Sequence, residues 1–220
     1  MDKVERKKLG DDVIRKLRKA ILLGDMRPGE HLAEPLLADK FGTSRGPIRD
    51  ALQLLIREGF VERHANGRVT VKGIETGDIA NLYDIRLLLE TYSIRKWADQ
   101  GDLRDLHMLN SCLDRMNDSA LTSGEFSQLD MEFHEQLVRL VRNKSLLQSW
   151  LGLKDVVHAI LEITNQSYNR SEMILAIHAG IYAALEKRDI DEAVRLLGDH
   201  LNEGKVLMSE RVDNLKVSKR

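Results

Sequence analysis

Apolar residues along this chain follow two rhythms. Up to Lys72 they come in short clusters separated by glycine, proline and charge; beyond Gly73 they recur every three or four residues over long runs that contain no proline. The first rhythm predicts short elements that stop and turn, and the second predicts helices alone. Helices are expected over residues 11–23, over 34–41 and from Ser44 onward, where Ile48, Ala51, Leu52 and Leu55 share one face. Gly24 reads as a stop and Arg27-Pro28-Gly29 as a turn. Ser44 suits the N-cap of the third helix, its hydroxyl able to accept from a first-turn N–H, and Pro47 falls where a missing N–H matters little. Residues 61–64 and 68–72 read as strands, with Asn66-Gly67 between them signalling a tight hairpin.

The stretch 73–77, G-I-E-T-G, reads as a linker, with Thr76 or Asp78 capping the next helix. Six helical segments are then expected, near 78–100, 102–120, 124–142, 144–166, 170–187 and 189–213. Breaks fall at Gly101-Asp102, Ser123-Gly124, Asn143-Lys144, Asn169-Arg170 and Arg188-Asp189, and the final V-S-K-R reads as a frayed tail. The fold class is therefore mainly α: a winged helix-turn-helix over 1–72, the linker 73–77, and an all-α six-helix bundle over 78–220.

Charge sharpens this division. Residues 1–72 hold 16 lysines and arginines against 11 acids, whereas the remainder holds 18 against 24, so a near-neutral chain carries a basic head and an acidic body. A basic head attracts the phosphate backbone of DNA. Arg45 and Arg49 lie four residues apart at the start of the third helix, where both guanidinium groups can reach guanine edges or flanking phosphates. A lone cysteine, Cys112, excludes an internal disulfide and points to a reducing cytoplasm. No run approaches the roughly 20 apolar residues of a membrane span, and the N-terminal M-D-K-V-E-R-K-K lacks the apolar stretch of a secretion signal.

In the second half, ionisable residues interrupt apolar stripes. Phe126, Leu129, Phe133, Leu137 and Val141 define one buried face, and Asp130 and His134 sit within it. Four residues of separation place them about 40° apart around the axis and about 6 Å along it, so both can converge on one point. His178 falls in the series Ile174, His178, Ile181, Leu185, and His200 in the series Ala193, Leu197, His200, Gly204, Leu207. Three imidazoles and a carboxylate suit a divalent ion, zinc first, with nickel, manganese or iron as the alternatives; separately satisfied side chains are the other reading. Arg86, spaced with Leu82 and Leu89, is expected to look inward, where it needs a protein carboxylate or the carboxylate of a small ligand. His158 lies on a polar face with Lys154 and Glu162, and His31, His64 and His107 share no stripe with the four.

Together these residues resemble the GntR family of bacterial transcription factors, in its FadR-type branch with an FCD effector domain. The first half carries the resemblance in I-L-L-G-D-M-R-P-G-E-H-L, in L-L-A-D-K-F-G-T-S-R-G-P-I-R-D-A-L-Q-L-L-I-R-E-G-F-V and in G-R-V-T-V. The second half carries it in L-Y-D-I-R-L-L-L-E, L-D-M-E-F-H-E-Q-L, I-H-A-G-I-Y-A-A-L-E-K-R-D and D-H-L. The resemblance implies DNA contacts from Ser44, Arg45, Gly46, Pro47 and Arg49 on the recognition helix and from Asn66, Gly67 and Arg68 at the wing tip. It implies a metal site of Asp130, His134, His178 and His200. Pro35 departs from the pattern, because many members place a DNA-contacting arginine there, and readout is expected to fall more heavily on Arg45 and Arg49. Six helices in the effector domain resemble the VanR-like subgroup.

The expected function is a cytoplasmic homodimeric regulator, repressing by default, that binds an inverted-repeat operator in double-stranded DNA. It would be released by a small carboxylate or sugar acid that meets the metal and Arg86. A regulator in which the metal itself is the signal is the alternative. A metal-dependent hydrolase fused to a DNA-binding head is disfavoured, because Glu132 and Glu135 point away from the side of the helix that carries Asp130 and His134.

Overall fold

A computed structural model describes the backbone of residues 3–164 and 171–217 and the side chains of 10–162 and 171–214. Two compact units emerge, one of residues 1–76 joined by the end of the chain from Val212, the other of 77–211. The expected break at Asn169-Arg170 and the last three residues of the V-S-K-R tail lie outside the described residues.

The first unit contains α1 (Lys3–Leu22), α2 (Glu34–Lys40), α3 (Arg45–Arg57), β1 (Val61–Arg63) and β2 (Val69–Val71). Helix α1 starts eight residues before the expected Asp11, in a run of strong helix formers where Gly10 alone is unfavourable. Val13, Leu17 and Ile21 pack with Ile48, Leu52, Leu55 and Phe60 as a buried core. A bidentate ion pair closes it: Arg18 donates from Nε to Glu58 at 3.0 Å and from Nη2 at 2.6 Å, tying α1 to the end of α3.

Strands β1 and β2 pair antiparallel, with Val61 opposite Val71. Their connection is the tight hairpin expected around Asn66-Gly67, spanning the three residues left between the expected strands. His64 N–H donates to Arg68 O, and Gly67, at φ +81°, donates to His64 O, so three residues make the turn. That geometry is a turn followed by a left-handed residue, which glycine alone adopts without steric penalty. The other edge of β2 is covered as well. Gly29 N–H donates to Val71 O, Val71 N–H to Glu30 O and Leu32 N–H to Val69 O, which accounts for the burial of all three β2 residues.

The second unit is helical among the described residues. Helix α4 (Thr76–Gln100) begins it, a 3-10 turn covers Leu103–Leu106, and α5 (His107–Met116), α6 (Ser123–Arg139), α7 (Lys144–Thr164), α8 (Ser171–Glu186) and α9 (Ile190–Val217) follow. The segment expected as one helix over 102–120 is divided. Asp102 and Asp105 form a capping box on the 3-10 turn, and α5 stops at Met116, where Asp118 accepts from Ala120 N–H in a turn. Helix α6 is capped by Thr122, whose partner in a second capping box is Glu125. Six α-helices run from Thr76 onward among the described residues, and none is long and apolar enough to cross a membrane; α4 thus takes in Thr76 and Gly77, expected as linker, and Thr76 and Asp78 lie in its first turn and not at its N-cap.

Candidate metal centre and DNA-reading surface

Helix α4 presents a buried stripe of Ile79, Tyr83, Arg86, Glu90, Ser93, Ile94 and Trp97, all at helical spacing. This is one residue off the stripe expected from Leu82 and Leu89, both of which are only half-buried. Arg86 faces inward as expected, 2% exposed, with its guanidinium over the rings of Tyr83 and Trp150 at 5.0 and 5.3 Å. The shift in register brings in Glu90, which the spacing of Leu82 and Leu89 does not single out. It is fully buried and accepts from Arg86 Nε at 3.2 Å.

Asp130 and His134 on α6, His178 on α8 and His200 on α9 come together, each offering a ligand atom within 4.8 Å of the others. The Nε2 of His200 lies 3.3 Å from that of His134 and 3.3 Å from that of His178, and Asp130 Oδ1 lies 3.4 Å from His178 Nε2. Zinc with ligands at about 2.0–2.1 Å in a tetrahedron separates them by roughly 3.3–3.4 Å; these three edges match that spacing, while Asp130 Oδ1 to His134 Nε2 is longer at 4.0 Å, so the side chains would draw in slightly around an ion. Asp130 Oδ1 is buried and has no hydrogen-bond partner, an unfavourable state for a carboxylate oxygen that a cation would relieve. Burial holds His134 and His178 well below the usual imidazole range, in the neutral form a metal requires. Burial also pushes Asp130 up to about 7. The residues present therefore fit a divalent ion.

Glu90 sits behind this set. Its Oε2 is 2.6 Å from His134 Nδ1, with both side chains fully buried. A proton on Nδ1 donated to the carboxylate leaves the Nε2 lone pair directed at the other ligands, the arrangement that orients a metal-binding imidazole. Burial raises Glu90 to about 7, while the neighbouring Arg86 pulls it the other way. Burial lowers Arg86, but Glu90, Tyr83 and Asp130 together hold it above its ordinary value.

A cavity of about 50 Å³ opens beside the cluster, lined by Arg86, Asp130 and His200 among others. Arg86 Nη2 is buried without a hydrogen-bond partner. The two glutamates weighed as hydrolytic bases are engaged elsewhere, Glu132 with Arg115 at 2.7 Å and Glu135 with Arg139 and Lys154. His31, His64 and His107 are exposed and His158 half-buried, none of them in the cluster. Cys112 is buried, as a packed small residue would be.

In the first unit Ser44, Arg45, Gly46 and Arg49 are exposed at the start of α3, with Pro47 half-buried behind them. Ser44 occupies the N-cap position but its side chain makes no capping bond, which corrects the expectation for that hydroxyl. Arg49 Nε approaches Glu34 Oε2 at 3.5 Å, a weak exposed pair. Asn66, Gly67 and Arg68 form the exposed wing tip, where Asn66 Oδ1 accepts from Arg68 N–H. Pro35, in the first turn of α2, is exposed.

Residues 81–203 match the FCD domain model, more than half the chain, and residues 9–71 match that of the bacterial regulatory proteins of the gntR family. The protein belongs to the GntR family. It is 30% identical to the Nta operon transcriptional regulator of Aminobacter aminovorans, over 80% of this chain and 82% of that one. It is 29% identical to the gluconate operon transcriptional repressor of Bacillus licheniformis, over 92% and 87%. Its fold is similar to that of Lar, which controls the expression of the Listeria monocytogenes agr system, with a TM-score of 0.71 over 91% and 96% of the two chains at 24% identity. The matched families and relatives are transcriptional regulators and not enzymes, and this GntR protein is accordingly a DNA-binding transcriptional regulator.

Proposed function

We propose that this GntR protein is a metal-dependent, effector-responsive repressor that acts as a cytoplasmic homodimer on an inverted-repeat operator. The observation that carries the reading is the convergence of three Nε2 atoms and an Asp130 oxygen without a hydrogen-bond partner, next to a cavity that Asp130, His200 and Arg86 line and where Arg86 Nη2 is buried without a partner. Asp130, His134, His178 and His200 hold the ion, zinc first. The ion supplies a Lewis-acidic anchor for an acid. Arg86 supplies a charge-assisted donor from the protein side, held in place by Glu90 and by the two rings around it.

At the other end of the chain, Arg45 and Arg49 read base edges while Ser44, Gly46, Pro47 and the wing residues Asn66, Gly67 and Arg68 meet the backbone. Two-fold pairing matches an inverted repeat. An exposed stripe of Ile85, Leu88 and Tyr92 on α4, with Leu88 at 70%, supports an association of two copies. The domains run 1–72 and 78–220, and the linker 73–77 transmits the signal, because an effector changes DNA affinity only if it favours one arrangement of the heads over another. Six helices after the linker support the VanR-like subgroup.

Elemental analysis of freshly purified protein, paired with thermal-shift screening of small carboxylic and sugar acids, tests this. One equivalent of a divalent metal, and acids that stabilise the loaded protein and weaken operator binding, are expected. Metal that alters operator affinity while every acid leaves it unmoved would make the ion itself the signal. Metal-free protein that still responds to acids would overturn the centre.

A further inference from the structure

We propose that Phe133 is a positioning residue of the metal centre, its ring holding the imidazole of His178 toward the ion by stacking where no hydrogen bond does so. This rests on the reading of Asp130, His134, His178 and His200 as metal ligands and concerns how one of them is aimed. An imidazole that binds an ion through Nε2 carries its proton on Nδ1, and that N–H ordinarily donates to a carboxylate, a carbonyl or water, which sets the orientation of the ring. His134 follows the rule, with Glu90 Oε2 2.6 Å from its Nδ1. His178 departs from it: the residue is fully buried, and its Nδ1 has no hydrogen-bond partner among the described residues.

The phenyl ring supplies the constraint instead. The centroids of Phe133 and His178 lie 4.4 Å apart with 11° between the ring planes, closer than any two of the three imidazoles, which stand 4.9–5.3 Å apart. Held in that plane, His178 is turned 85° from His134 and 78° from His200, whereas those two are within 7° of parallel. The crossed setting brings its Nε2 to 3.3 Å from His200 Nε2 and 3.4 Å from Asp130 Oδ1. Phe133 precedes His134 on α6 and His178 is on α8, so the stack braces one helix against the other at the level of the site. Such a contact changes metal affinity only if it is stronger when the ion is bound. Burial keeps the free imidazole neutral; coordinated, the ring takes on part of the ion's positive charge, and the negative face of a phenyl ring attracts it. In a site shielded from water that attraction is worth about 5- to 30-fold in binding.

The test uses the full-length protein, with zinc affinity read by competition with a chromophoric chelator and the fold monitored by the melting temperature of the metal-free form. Phe133→Leu removes the ring, and pentafluorophenylalanine in place of Phe133 keeps its shape while reversing the charge of its face. Zinc should bind about 5- to 30-fold more weakly to the Phe133→Leu protein. It should also bind more weakly to the fluorinated protein than to the parent, at an unchanged metal-free melting temperature, which a residue that only fills space would not produce. The fluorinated protein decides the matter even if Phe133→Leu fails to fold. Zinc affinity of the fluorinated protein within about twofold of the parent's would overturn the inference, reduce Phe133 to a packed core residue and leave the metal centre standing. A parent protein that binds no zinc would remove the centre itself, and the inference with it.

Discussion

Replacing Glu90 with glutamine changes almost no volume, yet it removes the carboxylate that lies between the proposed metal ligand His134 and the buried Arg86. The carboxylate lies 2.6 Å from His134 Nδ1 and 3.2 Å from Arg86 Nε, with exposures of 0% and 2% at Glu90 and Arg86. The substitution brings two losses of different kinds. A glutamine carbonyl can still accept from His134 Nδ1, but as a neutral acceptor, and weakening such a partner reduces metal affinity by about 10- to 100-fold, about 1.4–2.7 kcal/mol. Arg86 meanwhile loses the carboxylate it is paired with in the interior, and breaking a buried pair in this way costs about 3–5 kcal/mol of stability. Zinc affinity by chelator competition measures the first loss, and the melting temperature of metal-free protein measures the second. The absorption spectrum of the cobalt-substituted protein supplies the control, because a merely misfolded site would lose its four-ligand signature whereas a repositioned imidazole would keep it. Glu90→Gln protein that keeps its cobalt spectrum and binds zinc within twofold of the parent refutes the argument that this carboxylate sets the His134 tautomer.

Three further substitutions separate the two halves of the molecule. Arg49→Ala should weaken operator binding by about 1–3 kcal/mol and reduce its salt dependence, with metal content unchanged, as measured by fluorescence anisotropy over a salt series. His134→Ala should abolish stoichiometric zinc and the response to acids while metal-independent operator binding by the head persists; retained zinc in elemental analysis would contradict the assigned ligand set. Glu58→Ala leaves Arg18 unpaired between α1 and α3, with side-chain exposures of 7% and 5%, and should destabilise the head by about 3–5 kcal/mol in denaturant unfolding without touching the metal centre.

Much of the fold is legible because a buried helix face repeats every three or four residues, and that signal survives without coordinates. Phe126, Leu129, Phe133 and Leu137 are expected inside and are inside, whereas Val141, expected with them, is half-buried beyond the end of α6. Local hydrogen bonds are harder to foresee. The pairing of residues 29–32 with β2 joins segments distant in sequence, which no local pattern announces. The side-chain bond expected of Ser44 is absent, although the residue stands at the N-cap position, because residue type fixes a preference for the position and not the rotamer.

The centre itself divides along the same line. Asp130, His134, His178 and His200 can be chosen because each is an ionisable residue embedded in an apolar series, an arrangement that demands a partner whatever the fold. Glu90 breaks no such series in the register set by Leu82 and Leu89, and it enters the site only when the stripe is centred on Tyr83 and Arg86. The signal is nevertheless present: a residue forced inward with a full positive charge requires an acid within reach, and the acid four residues on along the same helix is the nearest supply. Arg49 and Arg86 make the contrast plain. The exposed guanidinium has water as its alternative partner and is free to exchange it for a base edge, whereas the buried one has no such alternative, so its second nitrogen favours any anion small enough to enter. In the proposed reading one residue type thus meets DNA at the surface and a small acid in the interior, and the difference between the two environments is burial.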